Sequence, residues 1–147
     1  MRTLILFLVF CQLVFSDPPN PRREALNFLT ALHKLYSLHD SSILHAEFEA
    51  VWKNGTTASR EKTVHYINNL NAHQIEHHQN LTKKFSQATI EDTDSMWKHQ
   101  HHVARFGKDQ SLEIERNKHQ VLQTKIVAKP DATIEGGYKF YRFFIYY

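Results

Sequence analysis

The sequence predicts an α+β protein with helices in its first half and a mainly antiparallel sheet in its second half. Apolar residues in the first half recur at three- and four-residue spacing, as they do along one face of a helix. From Leu81 onward, segments rich in β-branched and aromatic residues alternate with turn-like stretches. Helices followed by strands are typical of a sheet that carries its helices on one face.

The first 16 residues, MRTLILFLVFCQLVFS, are typical of a cleaved secretory signal peptide. Arg2 precedes an apolar run, Leu4–Phe15, that is shorter than the roughly 20 residues needed to span a bilayer. Small residues, Val14 and Ser16, suit the cleavage site; a buried N-terminal helix is the alternative. Cleavage predicts a secreted, extracellular protein with no membrane span, a short leader at 17–20 and a single domain at 21–147.

Composition excludes several classes of function for the mature chain. The one cysteine, Cys11, lies in the signal segment, so disulfides, thiol catalysis and cysteine-bound metals are not expected. The whole chain has 18 basic and 15 acidic residues, which are interspersed. This weak positive charge does not favour nucleic acid as a partner. The eleven histidines, however, would add much positive charge in acid.

Three helices are predicted in order. Asn20 caps the first, with Pro21 in its first turn, and its apolar stripe runs to about Tyr36. Asp40 caps a second helix over 41–52, and Ser59 caps a third over 60–78.

The second half predicts strands within 81–92, 95–106, 111–129 and 138–147, in a curved antiparallel sheet of about four to six strands. The last strand, YKFYRFFIYY, is aromatic on both faces. One face should therefore cover the helices, and the other should meet a second subunit or enclose a cavity. Tyrosine hydroxyls that reach solvent are the alternative.

Three segments resemble the nuclear transport factor 2-like superfamily, which includes the SnoaL-like proteins: FLTALHKLYSLHDSSILHAEF, SREKTVHYINNL and GGYKFYRFFIYY. The resemblance implies a cone-shaped sheet around helices, a pocket at its wide end and dimerisation through the outer sheet face. The family contains isomerases, dehydratases and non-catalytic binding domains, so the fold does not settle the function. This sequence has Ala50 where many members carry an acid.

The expected function is non-catalytic binding of a small apolar ligand or a protein partner, without a cofactor. Trp52, Trp97, His99 and His101 are the candidate pocket residues. The alternative is a SnoaL-like isomerase or hydrolase that pairs a pocket histidine with a carboxylate. The histidine candidates are His99, His101 and His119, and the carboxylate candidates are Asp40, Glu113 and Glu115.

The histidine clusters HQIEHH and WKHQHH raise the question of a metal site. On one continuous strand, His99 and His101 share a face, and on a helix His73 and His77 share another. Zinc sites take three or four protein ligands, and each pair supplies two. We therefore expect no metal site.

Two sequons, NGT at Asn54 and NLT at Asn80, predict N-linked glycosylation of a secreted chain, with chance occurrence as the alternative.

Overall fold

One seven-stranded mixed sheet and two α-helices make up most of the described part of the chain. A computed structural model describes residues 19–70, 76 and 101–147, together with the backbone of 96–99. The elements are α1 (Pro21–Ser37), β1 (Leu44–Trp52), β2 (Thr57–Ser59), α2 (Arg60–Asn68), β3 (Met96–His99), β4 (His102–Phe106), β5 (Leu112–Lys118), β6 (Val121–Pro130) and β7 (Tyr138–Ile145), with short 3₁₀ turns at Ser41–Ile43 and Lys108–Gln110. The predicted α+β class is confirmed. The predicted signal segment lies outside the described residues.

The first helix forms where the sequence predicts it. The Asn20 side chain accepts a hydrogen bond from the Arg23 backbone N–H at 3.1 Å, and Pro21 stands at the first turn. Its apolar stripe is buried: Ala25, Phe28, Leu29, Ala31, Leu32 and Leu35. The helix ends at Ser37, because the next residues turn into the 3₁₀ segment.

The predicted second helix is wrong, so the described chain has two helices in place of three. Asp40 does cap a turn, since its side chain accepts from the Ser42 N–H at 3.0 Å. That turn lasts only three residues, and residues 44–52 continue as β1. β1 pairs with β2 on one side and with β7 on the other, and these ladders satisfy backbone groups that a helix would have satisfied internally. Tertiary pairing therefore overrides the local helical pattern.

The third predicted helix begins at the predicted place but is described over a shorter range. Ser59 caps α2 by accepting from the Lys62 N–H at 3.4 Å, and Ile67 is its buried residue. α2 ends at Asn68. The strand predicted within 81–92 lies outside the described residues.

Two of the predicted long strands are hairpins. Residues 95–106 divide into β3 and β4, and residues 111–129 divide into β5 and β6. The second turn consists of His119 and Gln120, whose φ angles are both positive, 51° and 64°. Together with β1 and β2, these divisions give a sheet of seven strands, above the predicted four to six.

The strand order is β2-β1-β7-β6-β5-β4-β3. β1 runs parallel to β7, and every other pairing is antiparallel. The sheet is therefore mixed, which corrects the purely antiparallel prediction. A parallel neighbour requires a long connection, and here it spans the whole chain between the first strand and the last.

A β-bulge in β7 decides which side chains face the helices. Phe140 pairs with Ala128, and the next pair joins Arg142 to Val127, so Tyr141 is the extra residue. Strict alternation would place Phe140 and Phe143 on opposite faces. After the bulge, both pack against the core, with ring centroids 5.8 Å apart. We call the face that carries both helices the inner face, and the opposite one the outer face.

Candidate functional site

Aromatic rings fill the described space between α1 and the inner face. Phe140 meets Phe28 edge to face at a centroid distance of 5.8 Å, and it meets Phe48 at 4.9 Å. Small residues sit on the strands beneath, and Ala104 and Ala128 are 0% exposed. Such alternation of large and small side chains gives a packed core. This part of the molecule therefore has the character of a core and not of an open pocket.

A small cavity lies beside α1, at the 3₁₀ turn. It measures about 60 Å³, room for about two water molecules. Its polar groups already have partners: Lys34 pairs with Glu135, and the Asp40 carboxylate accepts from Ser42. The hydrogen bond from Ser42 lowers the pKa of Asp40. This cavity is too small for an organic substrate, and Asp40 acts there as a capping group.

An open groove of about 390 Å³ lies at the start of α1. Its volume falls within the range of small-molecule sites. Its lining residues are Asn20, Arg22, Arg23, Leu26 and Asn27. Four of these five side chains carry a polar group and the groove is open, so an apolar ligand would stay largely exposed to water there.

The predicted pocket residues stand on distant strands of the sheet. Trp52 ends β1 and is 36% exposed. Trp97 and His99 lie on β3, the far edge strand, with four strands between it and β1. At about 4.8 Å a step, this separation is about 24 Å along the sheet. The side chains of Trp97 and His99 lie outside the described residues, so a pocket shared by these residues stays a prediction.

The histidine cluster has a different geometry from the predicted one. His99 is the last residue of β3 and pairs across the hairpin with His102, the first residue of β4. His101 occupies the turn between them, where it is exposed and its carbonyl accepts the Asn117 N–H at 2.6 Å. The proposed i, i+2 pair on one strand is therefore wrong, because the strand ends first. His73 and His77 lie outside the described residues.

Within the ranges that the structure describes, no three histidine, cysteine, aspartate or glutamate side chains come together as metal ligands. Two of the three predicted carboxylates, Glu113 and Glu115, form ion pairs with cationic side chains. Glu113 pairs with Lys125 at 2.6 Å and with Arg105 at 3.8 Å, and Glu115 pairs with Arg105. His119 is an exposed turn residue. The pairs that Glu113 and Glu115 form are therefore ion pairs with cations and not general-base pairs with histidine.

These ion pairs belong to a larger outer-face patch that sequence reasoning missed. We define the patch as Val51, Val103, Arg105, Glu113, Glu115, Lys125, Val127, Phe144 and Tyr146. Register places Val103 beside Glu115, and Lys125 beside Phe144, which in turn neighbours Val51. Phe144 and Tyr146 stack with centroids 6.2 Å apart and ring planes 13° apart. The alternation in LEIE was the available signal, since it places both glutamates on the face opposite the buried Leu112 and Ile114.

Asn54 is exposed in the turn between β1 and β2. Its side-chain oxygen accepts the Thr56 backbone N–H at 2.9 Å, and Gly55 has a φ of +86°. The sequon is thus presented on a tight, solvent-facing turn. Asn80 lies outside the described residues.

Comparison with known proteins finds a weak structural similarity. No family model matches the chain, and no curated protein matches it. Among solved structures, the chain is similar to an NTF2-like protein with a cystatin-like fold from Novosphingobium aromaticivorans. The two share 11% identity with a TM-score of 0.32, over 83% of this chain and 74% of that one. Of the described helices, none combines the length and apolarity needed to cross a membrane.

Proposed function

We propose that the chain is a secreted, non-catalytic binding domain of the nuclear transport factor 2-like kind, and that it self-associates through its outer-face patch. The observation that supports this proposal is the contrast between the two faces of the sheet. The inner face is filled by the Phe28–Phe48–Phe140 cluster, whereas the outer face presents apolar and charged side chains in alternating rows.

The filled interior favours a protein partner over a small apolar ligand. Small-molecule sites are concave cavities of several hundred Å³ with a few convergent polar groups. The cavity beside the core measures about 60 Å³, and the larger groove is open to solvent. A binding function is therefore better placed on the outside of the sheet.

The composition of the outer-face patch favours a second copy as the partner. In a two-fold dimer, the same patch meets itself, so a positive row must be able to meet a negative one. Arg105 and Lys125 alternate with Glu113 and Glu115 across adjacent strands, which gives the patch both signs of charge. The stacked pair of Phe144 and Tyr146 adds aromatic surface of the kind enriched at interfaces.

The test is the mass of the mature chain in solution at micromolar concentration, measured by sedimentation equilibrium. We expect a dimer. Phe144→Glu should give a monomer, because it places a charge where the apolar surface should be buried. Val121→Glu is the matched control: it adds the same charge at an apolar residue that is 59% exposed in the β5–β6 hairpin, outside the patch. This control should remain a dimer.

Circular dichroism and thermal melting of both variants establish that they fold. A monomeric wild-type chain would contradict the proposal. Equal loss of association in the two variants would also contradict it, since the effect would then come from net charge and not from the patch.

A further inference from the structure

The outer face carries a second feature at the bulge in β7, next to the patch, since Arg142 pairs with Val127 in the β6–β7 ladder. The Lys129 Nζ lies 3.6 Å from the centre of the Tyr141 ring, and the Arg142 guanidinium carbon lies 4.0 Å from the same centre. The His45 ring meets Tyr141 edge to face at 5.1 Å. We call these four residues the Tyr141 cluster. The bulge creates it, because it places Tyr141 and Arg142 together on one face.

Two positive charges of the cluster lie close together. Since both distances are measured to one ring, the two cationic centres lie within about 8 Å of each other, which is shorter than the screening length at physiological salt. Among the described residues, neither Lys129 nor Arg142 forms an ion pair with a carboxylate. Cation–π attraction to Tyr141 offsets part of their repulsion, but it adds no negative charge.

The neighbouring charges have both signs. Lys139 stands directly opposite Lys129 in the β6–β7 ladder, and it pairs with Asp131 at 3.7 Å. Glu49 stands directly opposite Arg142 in the β1–β7 ladder, but it forms no ion pair with it. Lys129 and Arg142 therefore remain two cations that no described carboxylate contacts directly.

Both Arg142 and His45 keep donors available toward a ligand. Arg142 donates through one nitrogen, Nη1, to the backbone carbonyls of Glu47 and Tyr141 at 2.6 and 3.0 Å. These bonds fix the guanidinium plane, and its Nη2 and Nε make no hydrogen bond to a described residue. His45 accepts the Glu47 N–H at its Nδ1, at 3.0 Å, so the neutral ring carries its proton on Nε2 as a donor.

We propose that the Tyr141 cluster is a binding site for a tetrahedral oxyanion, a sulfate or phosphate group, either free or as an ester on a sugar. Lys129 supplies a point charge, and Arg142 supplies oriented donors of the kind that recognise such oxygens. The site is formed within one copy of the chain. It does not depend on the self-association proposed above.

The test uses the mature chain at low ionic strength, with backbone amide shifts recorded by NMR during titration. The probes are inorganic phosphate, inorganic sulfate, N-acetylglucosamine 6-sulfate and, as an uncharged match, N-acetylglucosamine. We expect saturable shifts around residues 129 and 140–142 with the three anions and none with the neutral sugar. Tighter binding of the sulfated sugar than of free sulfate identifies a glycan ester as the source; equal binding identifies the oxyanion alone.

Lys129→Gln should weaken phosphate binding at least about tenfold, as expected for loss of a charge-assisted contact. Lys118→Gln is the matched control, since it removes the same charge from an exposed residue at the end of β5, outside both the patch and the Tyr141 cluster. This control should bind almost as well as the wild type. Lys129→Arg should retain binding. Retained binding in this variant would show that position 129 acts through its charge. The proposal is overturned by absence of saturable shifts in the wild type, or by equal losses of binding in Lys129→Gln and Lys118→Gln.

Discussion

At the scale of single residues, a few backbone conformations determine how closely the elements approach. Gly136 has a φ of +83° in the loop between β6 and β7, and this loop touches α1. A β-carbon at this position would lie 3.0 Å from both the Ala31 side chain and the Asn27 carbonyl oxygen. Both the φ angle and the close approach to α1 therefore require glycine here.

We predict that Gly136→Ala lowers the free energy of unfolding by about 2–3 kcal/mol, through backbone strain plus steric overlap. Gly55→Ala is the control, because its φ is +86° but nothing lies within 4 Å of the added carbon. It should cost only about 1 kcal/mol, from strain alone. Urea unfolding of both variants measures the difference. Equal losses of unfolding free energy in the two variants would show that contact with α1 adds no cost at position 136.

Two tyrosines of the core, the partly buried Tyr36 and the buried Tyr138, should destabilise the fold at alkaline pH. Burial, helped by nearby Tyr66, raises the pKa of Tyr36 to about 12, and burial raises that of Tyr138 to about 12. In the unfolded chain, tyrosine ionises near pH 10. Stability from these groups is therefore complete below pH 10 and is lost as the pH rises from about 10 to about 12.

We predict that the thermal midpoint falls across this pH range, and that Tyr36→Phe falls less steeply because phenylalanine does not ionise. Tyr147→Phe, a change at an exposed tyrosine, should follow the wild type. Melting curves between pH 9 and pH 12 check this. A Tyr36→Phe curve parallel to the wild type would contradict a burial-driven loss of stability.

At the scale of elements, the sequence predicts what depends on local pattern. Helix α1 is confirmed, because its cap, its proline and its apolar stripe all indicate the same helix. β1 was missed, because its residues also fit a helical spacing, and only its pairing with β7 at the far end of the chain decides the matter. The β3–β4 and β5–β6 turns were missed because neither contains the expected glycine. The bulge at Tyr141 was missed because a period of two cannot reveal an extra residue.

The β5–β6 hairpin offers a test of turn chemistry. Lys118 pairs with Val121, so His119 and Gln120 form a two-residue turn, and both have positive φ angles. This is the pattern of a type I′ turn, which favours Asn-Gly. We predict that the double change His119→Asn, Gln120→Gly raises the free energy of unfolding by about 1 kcal/mol.

Lys118→Gly is the control for the hairpin. It introduces the same glycine two residues away, in β5, where extended backbone gains nothing from it, and it should destabilise by about 1 kcal/mol. Chemical unfolding measures both. If the turn variant is also destabilised, the two positive φ angles do not limit the stability of the hairpin.

At the scale of the whole molecule, the two faces of the sheet have different roles. The inner face and both helices form the core, so most of the fold's stability should come from there. The outer face carries the ion pairs and the Tyr141 cluster, and these are where the proposed interactions lie. The outer-face patch depends on long-range strand order and register, which the pattern of the sequence does not reveal.

The exposed β1–β2 turn links the fold to the proposed secretory route. We predict that the full chain, expressed in a eukaryotic secretory system, leaves the cell without residues 1–16 and carries a glycan on Asn54. The turn supports this, because Asn54 is exposed and its neighbour Thr56 completes the sequon.

Thr56→Ala should remove one glycan, seen as a faster-migrating band that matches one step of glycosidase digestion. Thr57→Ala, the adjacent residue of the same type outside the sequon, should leave the glycan in place. Retention of the chain in the cell with its first residues intact would contradict secretion, and an unchanged band for Thr56→Ala in a secreted chain would contradict glycosylation alone.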